Sequence, residues 1–489
     1  MANFNTKARE AQPNATSYED GKVYNKNVVE DWINFLFASF LEDRCYEAGS
    51  QQMKRYLELT SDVAEELGNE FIAKASMFAR NELGMRSIAQ LTAAYLNNKQ
   101  FADKRSYFRN FCHRPDDIPE VFAAIDTLNE KRSHAMVRGF GDYLSGLNSY
   151  QLMKYELLDR KYKMYDCINI CHPTSPVIAA YKEGRLEEAD TWENKIRKGN
   201  KSTEEKEQEW KRFVEENRLG YLALIRNLRN ILNVEGLTQE WIDTYLIPLL
   251  TNEEAIRKSM VFPYQIYCAY KNLDVRNWQV VGALDKAFRT AIGNMPNLPG
   301  KTVIMLDVSG SMEDRMSKHS DMTIKEVGAV YAAALYVGSP NSEFIKFGSR
   351  AAFASYNRLT NVFDIIREMQ ENDNCGYGTN IATAFKILEM DCERIFLISD
   401  MQTISTRSCG YYDNDRKSSY DIYRNYCNHY GKAKLYSFDL GNYKTQVANP
   451  NDPNVFLLTA LNDKIFDFIE LAEKSVNLVD YINENYSYV

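Results

Sequence analysis

Lys301-Thr302-Val303-Ile304-Met305-Leu306-Asp307-Val308-Ser309-Gly310-Ser311 joins a short apolar run to an alternating polar loop. Four consecutive apolar residues between breakers, two of them β-branched, read as a buried strand ending at Leu306. Beyond it, Asp307, Ser309 and Ser311 alternate with Val308 and Gly310, which turns three oxygens toward one point. Gly310 permits the tight bend.

Downstream, strands and helices alternate. Lys325 to Val337 is an Ala-rich amphipathic helix, Glu343 to Phe347 a strand, and Asn361 to Met369 and Ile381 to Leu388 are helices. Glu393 to Ser399 is a strand, Tyr420 to Tyr430 a helix, Ala433 to Asp439 a strand, and a last helix starts at Ile465. This is the βαβ grammar of a doubly wound, mainly parallel α/β sheet.

Such sheets bind ligands at the C-terminal ends of their strands. Two further loops belong there: Gly376-Tyr377-Gly378-Thr379-Asn380, with a hydroxyl just before a helix, and Ser399-Asp400 after the strand Arg394 to Ile398. Asp307, Ser309, Ser311, Thr379 and Asp400 then form a hard, oxygen-only set suited to a divalent cation, Mg²⁺ above others. Alone, DxSxS would also serve as a helix N-cap; three loops in the right order favour the cation. A dehalogenase-type phosphotransfer site would want a second aspartate where Ser309 stands. No general base replaces it, so no enzyme activity is expected.

Upstream, from about Asn27 to Phe288, apolar residues recur at helical spacing, as in Val29, Trp32, Ile33, Leu36 and Phe40. Breakers such as Leu67-Gly68-Asn69 and His113-Arg114-Pro115-Asp116-Asp117 separate them. Helix pairs repeat at roughly 40 residues, the size class of helical solenoids, though without a repeated consensus. The charged stretch Lys182 to Glu209, with Leu186, Trp192 and Ile196 as its large apolar anchors, reads as a protruding, solvated helix pair in preference to a binding arm. Gly293 to Gly300-Lys301-Thr302 is Walker-like only superficially, because six residues separate its glycines and the lysine precedes a strand. It reads as a Pro/Gly linker.

With 489 residues, 45% hydrophobic and 26% charged, the chain can bury a sizeable core. Its apolar runs are far shorter than the roughly 18 residues of a membrane span. The polar N-terminus and nine scattered cysteines suit a cytoplasmic protein with reduced thiols. Cys167, Cys171 and His172 are the only cysteine grouping worth weighing as a zinc site, and an i, i+4 cysteine pair more often packs in a core. The net charge of -8 excludes a chain uniformly coated for nucleic acid; before residue 300 the balance is 40 Lys and Arg against 42 Asp and Glu. Any such partner must find a local patch.

The segment from about residue 300 onward resembles a von Willebrand factor A domain, with DxSxS, the Thr379 loop and Asp400 matching its metal-ion-dependent adhesion site. The resemblance implies that an acidic residue of a partner protein completes the ion's coordination. The upstream half narrows this. Tyr150-Gln151-Leu152-Met153-Lys154-Tyr155 with Tyr165-Asp166-Cys167 and Cys171-His172-Pro173, then Leu222-Ala223-Leu224-Ile225-Arg226-Asn227-Leu228, are similar to segments of the TROVE module of Ro autoantigen proteins. So are Phe262-Pro263-Tyr264-Gln265-Ile266 and Ala283-Leu284-Asp285-Lys286-Ala287-Phe288, although Phe262 and Tyr264 replace the family's His and Phe.

This second resemblance implies an N-terminal α-helical ring of HEAT-like repeats that binds small noncoding (Y-like) RNA on its outer face and threads single-stranded ends of misfolded RNA through its hole. It places Lys154 and His172 on the RNA-binding surface, with Arg160, Lys161 and Lys163 extending a basic patch. Arg226 and Asn227 read at least as well as a buried structural pair as RNA contacts. The expected organisation is an N-terminal arm (1–26), a TROVE module of helical repeats (27–295) and a von Willebrand A-like domain (296–489). The expected function is that of a ribonucleoprotein component in RNA quality control with an exoribonuclease. The alternative is a protein-binding scaffold whose cation site captures an acidic residue of its ligand.

Overall fold

The computed structural model describes residues 12–38, 49–155, 161–187, 190–197, 201–274, 277–316, 321–404, 417–441, 443–458, 465–474 and 478–489. They fall into two compact units. One comprises described residues within 1–34, 42–52 and 295–461; the other those within 35–41, 53–294 and 462–489. The linear division at residues 26 and 295 differs from these units at both ends of the chain. Described residues 12–34 belong with the sheet, and 465–489 belong with the helices.

The first unit carries nine strands among the described residues: β1 (Ala15–Thr16), β2 (Lys22–Asn25), β3 (Thr302–Asp307), β4 (Ser342–Phe347), β5 (Ala351–Ala354), β6 (Arg394–Ser399), β7 (Lys434–Asp439), β8 (Thr445–Gln446) and β9 (Val455–Leu458). Six form one sheet in the order β5-β4-β3-β6-β7-β9, parallel except for β5. All of β3 is buried, as its unbroken apolar run requires of a central parallel strand. Its alternate residues serve opposite faces. Val303 and Met305 join Ile395, Leu397 and Leu435 beneath the helices Ile381–Lys386 and Ser419–Tyr430, where Phe385, Tyr423 and Tyr426 pack. Leu306 and Ile398 face the helix Ile324–Gly338, whose Gly328 lies so close that a Cβ there would touch both at 3.1–3.2 Å. That helix is buried from Ile324 to Tyr336, and its run of alanines allows the approach.

The chain leaves β3 for β4 on one side and returns to β6 on the other. The winding therefore reverses between β3 and β6, which opens a crevice at their C-terminal ends.

A small antiparallel sheet, β1-β2-β8, pins the N-terminal segment to this unit. Ser17 Oγ donates to the Thr403 carbonyl (2.5 Å), and the Gln402 side-chain oxygen accepts from Tyr18 N (2.9 Å). The fully buried Lys26 ammonium pairs with Asp439 at the end of β7 (2.8 Å).

The second unit is helical among its described residues. The helix Gly49–Asn81 is broken at Gly68, whose φ of 84° and ψ of 159° only glycine adopts readily, so the expected breaker acts as a kink. Helices Lys104–Phe111 and His134–Ser145 pack closely enough that a Cβ on Gly139 would meet Phe108 Cβ at 2.8 Å. Asp117, the first residue of the helix Asp117–Thr127, has its carboxylate fully buried. It receives Arg80 Nε (3.0 Å) and Nη2 (2.8 Å), Gln90 Nε2 (2.8 Å) and the backbone N–H groups of His113 and Arg114. The last helical stretch divides into Ile465–Glu473 and Leu478–Asn485, with Phe468 stacked on Phe37 (5.4 Å) and Tyr486 edge-on to Phe78 (4.8 Å). Among the described residues, no helix is long and apolar enough to cross a membrane.

Candidate functional site

At the crevice between β3 and β6 stand Asp307, the last residue of β3, and Asp400, one past β6, exposed by 0% and 1%. Asp307 Oδ1 accepts from Ser309 N (2.9 Å), the loop-closing contact that an Asp-x-Ser turn supplies, and Oδ2 accepts from Ser399 Oγ (2.6 Å). Ser309 and Ser311 hydroxyls lie 3.4 Å apart. Asp400 accepts from Gln402 N (3.1 Å), and the Ser311 side chain bonds to it.

The third loop is tied to the first through its backbone: Gly310 N donates to the Tyr377 carbonyl (2.8 Å). Thr379 is buried, its carbonyl accepting from Ile404 N (2.7 Å) and Thr403 Oγ1 (3.3 Å). All five sequence-predicted oxygen donors thus stand on three loops knitted together or bonded to one another.

Burial is the first cause that raises both carboxyls above the ordinary aspartate range, and for Asp400 the charge of Asp307 is the second. Lys325 offsets part of this at Asp307, but its ammonium is already paired with Glu313. Two buried carboxylates, three hydroxyl side chains and too little positive charge form a set that a hard divalent cation fits.

Cys167 and Cys171 lie on the buried face of the helix Met164–Cys171, and burial drives both thiols up, Cys171 to about 12. His172 ends that helix in the left-handed conformation (φ 50°) and is exposed. Among the described residues there is no group of three or more His, Cys, Asp or Glu side chains placed to hold a metal.

Lys154 closes the short helix Ser149–Lys154, with its ammonium 5.5 Å and 5.6 Å from the rings of Tyr150 and Tyr155. Tyr150 and Tyr165 are half-exposed, at 49% and 51%. Lys163, also exposed, stands at the start of the His172 helix, its N–H donating to Asp166 (2.8 Å). Lys161 differs from a free phosphate ligand. It pairs with Asp126 (2.7 Å), which also takes Arg132 and Tyr162. Arg160 lies outside the described residues.

Comparison with known proteins follows from these features. Residues 177–287 match the TROVE domain family. Among solved structures the chain is similar to the Ro (RSR) protein of Deinococcus radiodurans, at 17% identity and a TM-score of 0.60 over 92% of this chain and 100% of that one. No curated protein matches. The TROVE match contains the Leu222–Leu228 and Phe262–Ile266 stretches, whereas Lys154 and His172 precede it.

Within the TROVE segment, Arg226 and Asn227 part company. Asn227 is buried and donates to the Ala223 carbonyl (2.8 Å), as a structural residue would, while Arg226 is exposed. The expected solvated helix pair is not uniformly solvated: Trp210 is 5% exposed and its ring stacks with that of Trp192 at 6.0 Å. These two tryptophans and Arg226 line a cavity of 670 Å³ that the sequence did not point to.

Proposed function

We propose that this protein is an RNA-binding ribonucleoprotein component without catalytic activity of its own. The observation that carries the reading is the TROVE match at residues 177–287 within a chain whose fold follows Ro over nearly its whole length. The bound RNA is a small structured noncoding RNA of the Y-like class together with single-stranded ends of misfolded RNA, and the protein presents such RNA to an exoribonuclease.

In this reading the helical unit is a ring of HEAT-like repeats, and the sheet unit is a von Willebrand A-like domain. Lys154 and Lys163 offer cations, His172 an imidazole and the half-exposed Tyr150 and Tyr165 aromatic edges on two short helices, the combination that backbone phosphates and unstacked bases require. Arg160 and Lys161 are secondary contributors, Lys161 only after giving up Asp126. The test is filter binding of a structured RNA across a salt series. Binding that weakens with salt is expected, and absence of binding at low salt rejects the reading.

A second reading has its own support. Tyr377, next to the cation-site loop, is 80% exposed and so open to a protein ligand docking there. With Mg²⁺ held by Asp307, Ser309, Ser311, Thr379 and Asp400, the ion would supply a Lewis-acidic position for an acidic residue of a protein ligand. A pull-down that survives ribonuclease and is lost with chelator distinguishes this scaffold function.

A further inference from the structure

Trp192 and Trp210 stack with their ring planes 27° apart, and Trp210 is almost wholly buried. An offset pair of this kind holds the half-exposed Trp192 ring in one orientation. Together they wall the 670 Å³ cavity, within the size range of small-molecule pockets. Its polar lining includes Lys206, Arg226, Asn227 and Asn230. The Asn227 amide spends its N–H₂ on Ala223, so its oxygen is left as an acceptor at the wall. Among the described residues, the side chains of Arg226, Asn230 and Lys206 make no hydrogen bond or ion pair.

A fixed aromatic face, amide groups and two uncommitted cations match the parts of a nucleotide: a π-face, a base edge with donors and acceptors, and a phosphate. A second cavity of 480 Å³ shares Trp192 and reaches Tyr150 and Lys154. Two adjoining cavities with one aromatic residue between them suit consecutive nucleotides of a strand better than a single free nucleotide.

We propose that the paired cavities around Trp192 bind unpaired bases of single-stranded RNA, with Trp192 as the stacking platform and Arg226 and Lys206 as phosphate contacts. This rests on the RNA-binding reading and adds to it a defined single-strand subsite. One stacked base is worth roughly a tenfold change in affinity or more.

The experiment uses the full chain and fluorescence polarisation with labelled ten-nucleotide oligouridylate and oligoadenylate, beside a blunt-ended RNA hairpin. Trp192→Ala should weaken both oligonucleotides about tenfold while leaving the hairpin unchanged, Trp192→Phe should recover most of the loss, and Arg226→Ala with Asn230→Ala should weaken the oligonucleotides severalfold. Unchanged oligonucleotide binding in both the tryptophan and the double variant, with the hairpin still bound, overturns the subsite and spares the RNA-binding reading. Equal loss of hairpin and oligonucleotide also overturns it. Should Trp192→Ala fail to fold, the double variant at two exposed positions decides. If the unmodified chain binds neither RNA, the RNA-binding reading falls and the subsite with it.

Discussion

Asp307 and Asp400 share a water-poor crevice with their carboxyls raised, and the sign of that shift sets a measurable consequence. A carboxyl whose folded pKa exceeds its unfolded value supports the fold while protonated and weakens it as pH rises through the folded pKa, about 6 for Asp307 and about 8 for Asp400. A bound cation offsets that loss. In thermal unfolding, the Tm gain from Mg²⁺ over chelator should therefore be small at pH 5.5, larger at pH 8.5, and absent in Asp307→Asn with Asp400→Asn. A gain that is the same at both pH values, or that survives in the double variant, contradicts the cation site. The RNA surface has its own test. His172 occupies the left-handed region, so His172→Asn removes the imidazole with less backbone strain than Ala. Combined with Lys154→Ala it should weaken structured-RNA binding about tenfold and leave the Mg²⁺-dependent Tm gain intact; loss of both would indicate a damaged fold. The placement of Asp307 and Asp400 at the ends of β3 and β6 was legible in the sequence because each follows an apolar strand run. The Trp192 cavity was not, because a charged stretch says nothing local about which of its faces is covered.

At the scale of elements, central strands declare themselves and edge strands do not. β3, β4, β6 and β7 are read from their apolar runs, since both faces of a central parallel strand are covered. β5 and β9, four residues each, lie at the two edges of the sheet, and β2 finds β8 some 420 residues later. Nothing local encodes such pairings. The N-terminal strap is held by close fit. A Cβ at Gly21 would run into the Thr403 carbonyl oxygen, so Gly21→Ala should loosen residues 14–26, read as faster amide exchange there with the remainder of the sheet unit unaffected. In the helical unit, Asp117→Ala would leave the Arg80 guanidinium buried without its partner. A loss of about 3–5 kcal/mol is expected, seen as a lower denaturant midpoint, and a loss below about 1 kcal/mol would show that the pair is dispensable.

Over the whole molecule, a net charge of -8 provides no general attraction to nucleic acid, so the proposed RNA binding depends on local groups acting against an unfavourable mean field. The two-part architecture was readable from the change of grammar near residue 296. The assignment of chain ends to units was not, since residues 12–34 and 465–489 are placed by contacts distant in sequence. In the proposed reading few phosphate contacts hold the RNA, so log affinity should fall with log salt at a smaller slope than for a basic RNA-binding protein. The most direct measurement is filter binding of a structured small RNA to the full chain between about 50 and 200 mM salt. The account predicts binding at the lower end, a linear fall of log affinity with log salt, and a smaller slope for Lys154→Ala with His172→Asn. No binding at the lower end, or binding indifferent to salt, would contradict it.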